Sequence, residues 1–161
     1  MLKTPPAHLF ALATALLLGA CGPEAPEPAS PRSTSEGQTW QPLTFNDHDY
    51  LFVRSARTWW DAKAICESLG YGLVTVNDAS EERWLDGFQG PHTWWLGHND
   101  TQSEGSWRWS HGASSYTNWL SGEPNNAGNN EDCAHDNWLG RGGWNDYPCD
   151  IGQYFICESL Q

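Results

Sequence analysis

Beyond Trp40 the apolar residues fall into two kinds of pattern, and each predicts an element. Tyr50-Leu51-Phe52-Val53 is a short continuous run of strand-forming residues. Thr58 stands three residues before Asp61, an acidic variant of the capping box, and predicts a helix start. Trp59, Ala62, Ile65, Cys66 and Leu69 then recur at spacings of three and four or adjacent to them, the signature of one helical face, and Gly70 is placed to end the helix. Leu73-Val74-Thr75-Val76 reads as a short strand or an extended link. A second helix is predicted from Asp78, capped through Glu81, with Trp84, Leu85 and Phe88 on its apolar side. Trp94-Trp95-Leu96-Gly97 and Tyr154-Phe155-Ile156-Cys157 have the pattern of buried strands. Two helices followed by aromatic strands give an α+β domain over residues 39–161.

The first 38 residues follow a different logic. Lys3 precedes an apolar run from Leu9 to Leu18, which is too short and too interrupted for a permanent membrane helix. Residues 1–20 are therefore expected to be an export signal that is removed. Leu18-Gly19-Ala20-Cys21 resembles the lipobox of bacterial lipoproteins, which implies a lipidated Cys21 at the new N-terminus. The lipid would hold the chain stably on a membrane. On the same analogy, Gly22 after the cysteine implies the outer membrane or cell surface of a bacterium. Residues 21–38 carry Pro23, Pro26, Pro28 and Pro31 among small and polar residues, which predicts a tether rather than a core.

Charge then narrows the partners. Twenty acidic residues stand against 8 basic ones, for a formal net charge of -12. Nucleic acid is disfavoured, because binding it takes a basic footprint. With Cys21 set aside, Cys66, Cys133, Cys149 and Cys157 suit two disulfides with three possible connectivities, and such bonds imply an oxidising compartment.

The candidate chemistry lies between Glu123 and Asp146. Glu123-Pro124-Asn125-Asn126 is followed by Glu131-Asp132-Cys133 and, after a Gly-rich turn, by Trp144-Asn145-Asp146. Oxygen ligands this dense repel one another unless a cation separates them, and calcium takes six to eight such oxygens. Glu123 with Asn125, and Glu131 with Asn145, each set a pure acceptor beside an amide that also donates. A sugar hydroxyl can give one lone pair to calcium, accept from the Asn amide and donate to the Glu. Two such pairs suit two neighbouring hydroxyls.

In type, order and spacing this segment resembles the principal calcium site of the C-type lectin-like domain, and the likeness covers about residues 49–158. The resemblance implies a fold of two helices with small antiparallel sheets and a long calcium-binding loop. It implies Ca2+ on Glu123, Asn125, Glu131, Asn145 and Asp146, the same five residues binding sugar, and a cis Glu123-Pro124 bond. The Glu-Pro-Asn order goes in that family with mannose-type glycans. It further implies the pairs Cys66–Cys157 and Cys133–Cys149, and a second calcium site at Asp100, Glu104, Asn126, Glu131 and Asp132. Trp94-Trp95-Leu96-Gly97 matches the family's core segment, with His98 departing from an apolar residue and read as a hydrogen-bonded structural histidine. Trp107, Trp109 and Trp119 are expected as a platform under the loop, with His135 and Trp138 facing the primary site. The alternative is a module of the same fold that binds a protein partner, calcium merely shaping the loop. An enzyme is not expected: a glycosidase needs a protonated carboxyl, which a carboxylate held on calcium cannot supply.

Overall fold

The computed structural model describes residues 40–137, 140 and 142–160. The export signal, the tether, Cys21, Trp138 and Arg141 lie outside the described residues. Among the described residues eight strands and two α-helices follow in order: β1 Leu43–Phe45, β2 His48–Arg57, α1 Trp59–Ser68, β3 Tyr71–Leu73, α2 Ala79–Gln89, β4 Trp94–Asn99, β5 Arg108–Trp109, β6 Cys133–Asp136, β7 Asn145–Tyr147 and β8 Gln153–Ser159. The small antiparallel sheets expected from the sequence join into one mixed sheet of order β1-β2-β8-β4-β6-β7. β8 is its hub: it runs antiparallel to β2 and β3 and parallel to β4. Among the described residues no helix is long and apolar enough to cross a membrane.

Alternation along the hub strands explains their apolar runs. Leu51 and Val53 of β2, Trp95 of β4, and Phe155 and Cys157 of β8 pack with Trp59, Ala62 and Cys66 of α1. Their neighbours Tyr50, Trp94, Leu96 and Ile156 pack instead with Leu85 of α2 and with Trp144. Successive side chains of a strand point to opposite faces, so a sheet covered on both faces has apolar residues at every position. The disulfides are Cys66–Cys157, joining α1 to β8, and Cys133–Cys149, joining β6 to the segment after β7.

Both helix starts are where the sequence puts them. Thr58 Oγ1 accepts from the Asp61 amide, and Asp78 accepts from the amides of Ser80 and Glu81. The buried side of α2 differs from expectation. Leu85 is buried and Trp84 stacks on Phe45 at 5.0 Å, but Phe88 is exposed and Glu81, Glu82 and Gln89 are buried. Glu81 is satisfied there, accepting from the Tyr50 hydroxyl at 2.7 Å and from the Asn77 amide at 2.7 Å.

Candidate functional site

The two halves of the acidic motif are brought together at their base by Trp144. Its backbone amide donates to Asn118 O at 2.8 Å and its carbonyl accepts from the Leu120 amide at 2.9 Å, forming a parallel bridge between Trp119 and Trp144. Its indole Nε1 donates to Glu82 Oε1 at 2.8 Å, and Asn118 Nδ2 donates to the same oxygen at 3.0 Å. A fully buried indole needs a partner for its N–H, and this carboxylate provides one from α2. Below the loop, Trp107, Trp109, Trp119 and Trp144 surround His98, which stacks on Trp109 at 4.4 Å. The Trp platform is thus present.

Above this base the loop is tied to itself through its candidate ligands. The Asp146 carboxylate, fully buried, accepts from the Asn125 amide at 3.1 Å and the Asn126 amide at 2.6 Å. Asn145 Nδ2 donates to the Asp146 carbonyl. Glu131 Oε2 accepts from the Ala127 amide at 2.8 Å, and Asn126 Oδ1 accepts from the Glu131 amide at 3.1 Å. Asn126 takes a left-handed conformation (φ 46°), which asparagine tolerates better than most residues, so the chain can turn here. The Glu123-Pro124 bond is cis.

The electrostatics are those of crowded acceptors. Burial, then Asp146, then Glu131 raise the Glu123 carboxyl above its ordinary range, with Asn125 opposing them. Burial and Asp146 likewise raise Glu131. Glu123 Oε2 is buried with no hydrogen-bond partner among the described residues. A donor set made only of carboxylate and amide oxygens, with an acceptor left over, suits a hard cation. Glu123, Asn125 and Glu131 come from the loop and Asn145 and Asp146 from β7; the Asn125 and Asn126 amides and the mutual repulsion of the carboxyls link them, but Glu123, Glu131 and Asp146 do not present oxygens mutually within 4.8 Å.

The second candidate set is also crowded with acidic groups. Asp100 is buried, its Oδ2 accepts from the Gly105 amide at 2.7 Å and its Oδ1 has no partner among the described residues. Burial and Asp132 raise its carboxyl against that Gly105 bond. Partial desolvation, then Asp100, Asp132 and Asp146, raise Glu104. The side-chain oxygen of Asn126 accepts from the Glu131 amide.

Two histidines depart from expectation. His98 is held by aromatic packing rather than by a hydrogen bond at Nδ1, which has none among the described residues, and burial lowers its pKa to about 4. His135 meets the primary site from the core rather than from an exposed loop: it is fully buried in β6 and stacks on Tyr147 at 4.8 Å. Its Nε2 lies 3.4 Å from Asn145 Nδ2, so it underlies the loop. The sequence also gave no notice of one acidic group. Among the described residues, three acidic side chains present oxygens mutually within 4.8 Å at Glu82, Asp86 and Asp136, outside the loop.

With this geometry in hand, the likeness to known proteins is specific. Residues 55–159 match the family model for the lectin C-type domain. A hepatic lectin of Gallus gallus is 33% identical over 160 residues, covering 98% of this chain and 69% of its own length. The C-type lectin domain family 4 member K of Mus musculus is 40% identical over 123 residues, covering 71% of this chain and 36% of its own, so the chain spans about a third of that relative. Among solved structures, the cow CD23 C-type carbohydrate-recognition domain superposes with a TM-score of 0.68 at 32% identity, covering 74% of this chain and 93% of that one.

Proposed function

Because the chain belongs to the C-type lectin domain family, we propose that it binds mannose-type glycans through Ca2+ held by Glu123, Asn125, Glu131, Asn145 and Asp146. The observation that carries this reading is that the loop bearing Glu123, Asn125 and Glu131 is tied to Asn145-Asp146 of β7 by the hydrogen bonds from the Asn125 and Asn126 amides to the Asp146 carboxylate. When bound, Ca2+ supplies a positive centre that takes one lone pair from each of two neighbouring hydroxyls. The protein's own groups complete each contact. The Asn amides donate to the hydroxyl oxygens, and the Glu carboxylates accept the hydroxyl protons. Trp144 and Glu82 hold the two halves in register from below.

The cow CD23 domain, whose structure was determined in the presence of a GlcNAc2Man3 oligosaccharide, supports a mannose-containing ligand by analogy. Asp100, Glu104, Asn126, Glu131 and Asp132 would hold a second Ca2+. The N-terminal sequence supports export and a lipid anchor at Cys21 on a bacterial outer membrane or cell surface. Many copies on one membrane would then bind together what each binds weakly alone. Passing the protein over mannose-agarose in calcium, and then in EDTA, tests the reading. Retention released by EDTA or by free mannose is expected. Calcium binding with flow-through on mannose and other sugar columns alike would replace it with a protein-binding module.

A further inference from the structure

α2 and β6 bring three carboxyls together at a place the sugar loop does not use. One oxygen each from Glu82, Asp86 and Asp136 lies within 4.8 Å of the other two. A calcium–oxygen bond is about 2.3–2.6 Å long, so one ion among these oxygens can touch all three. Closeness alone says little, because acidic groups often gather without an ion. The hydrogen bonding here says more.

Glu82 is only 3% exposed, and its Oε1 is taken by Asn118 and Trp144. Asp136 is also buried; its Oδ1 accepts from the amides of Asn137 and Gly143, and its Oδ2 from Gln89 Nε2 at 2.7 Å. Of the other three oxygens, two are buried and left over. Glu82 Oε2 and Asp86 Oδ1 are each buried with no hydrogen-bond partner among the described residues. Buried carboxylates are ordinarily paired or bound to metal, because nothing else replaces the lost water. No ion pair to any of the three occurs among the described residues. In keeping with this deficit of positive charge, burial and Asp136 raise Glu82 to about 8 and Asp86 to about 6.

We propose that Glu82, Asp86 and Asp136 form a binding site for a hard divalent cation, Ca2+ in a calcium-rich medium, separate from the sugar loop. The ligands are all carboxylate oxygens, the set that hard cations prefer. Asp86 is only partly buried, so water can reach the ion and fill the positions that three side chains leave open. An ion here joins α2 to β6. It also fixes Glu82, the acceptor for Trp144 beneath the loop.

This site does not depend on the sugar reading, and its test uses no sugar. Equilibrium dialysis of the full-length chain against 45Ca counts bound ions in the parent, in Asp86→Asn and in Glu82→Gln. Glu82→Gln keeps an oxygen acceptor for Trp144 and Asn118, and near-ultraviolet circular dichroism confirms that tryptophan packing survives in each variant. The expected result is one calcium fewer per chain in both variants than in the parent. Equal stoichiometry in all three proteins overturns the proposal and leaves proton sharing among the carboxyls as the account of the cluster. Failure of the sugar reading would appear separately, as flow-through on mannose with this difference in calcium count intact.

Discussion

The two disulfides should separate stability from binding when each is removed. Cys66–Cys157 closes a span of 91 residues and Cys133–Cys149 one of 16. If a cross-link acts by restricting the unfolded chain, the first contributes about 4.6 kcal/mol and the second about 3.1 kcal/mol. Location reverses their functional order. The short span contains Asn145 and Asp146, the second half of the candidate site, whereas Cys66 lies in α1 and Cys157 in β8 on the face packed against α1. Replacing both cysteines of a pair by alanine and unfolding each protein in urea should show the 66/157 variant losing about 1.5 kcal/mol more than the 133/149 variant. Calcium titration of the folded proteins should show the opposite order, with the 133/149 variant weakened more. A 133/149 variant that binds calcium like the parent while the 66/157 variant does not would refute the placement of the loop's rigidity in the short bridge.

Four smaller perturbations follow from single contacts. Asp78→Ala removes the side chain that accepts from the amides of Ser80 and Glu81, and should cost about 1 kcal/mol in urea unfolding. Gly97→Ala would put a methyl 2.9 Å from Leu73 O and 3.0 Å from Val74 O, both backbone, so a loss of about 1–3 kcal/mol is expected in the same assay. His98 is held neutral, with its pKa lowered from 6.5 to about 4, so between those values the unfolded chain binds more protons and this residue's contribution falls as pH falls. Relative to the parent in EDTA, His98→Phe should therefore gain about 3 kcal/mol as the pH drops from 6.5 to 4, read from urea midpoints at each pH. Glu123→Gln with Asn125→Asp should move column retention from mannose toward galactose while calcium still binds; loss of calcium binding would mean that the ligand set is incomplete.

Local signals were legible in the sequence and paired ones were not. Thr58 and Asp78 announce their helices because a cap acts on amides two or three residues away. The Glu123 to Asp146 stretch is legible because its candidate ligands are close in sequence and its turn residues tolerate the left-handed backbone. The helical pattern of α2 does not single out Glu82, and its burial follows from a partner, Trp144, that lies 62 positions away. β7, Asn145-Asp146-Tyr147, contains two poor strand formers and exists because β6 pairs with it. The same pairing places β6 between β4 and β7 and leaves all four of its residues buried, so no alternation of polar and apolar positions marks His135 as interior. For Asp136, neighbours in a polar stretch gave no hint that it would meet Glu82 and Asp86 from α2.

In the proposed site a sugar binds through an ion held by the loop. A calorimetric titration of methyl α-mannoside into the protein in calcium, repeated after EDTA, separates ion-dependent binding from binding without the ion. Weak, saturable heat in calcium that disappears in EDTA is the predicted result. Saturable heat of the same size in both, or none in calcium from a folded and calcium-loaded protein, would contradict it.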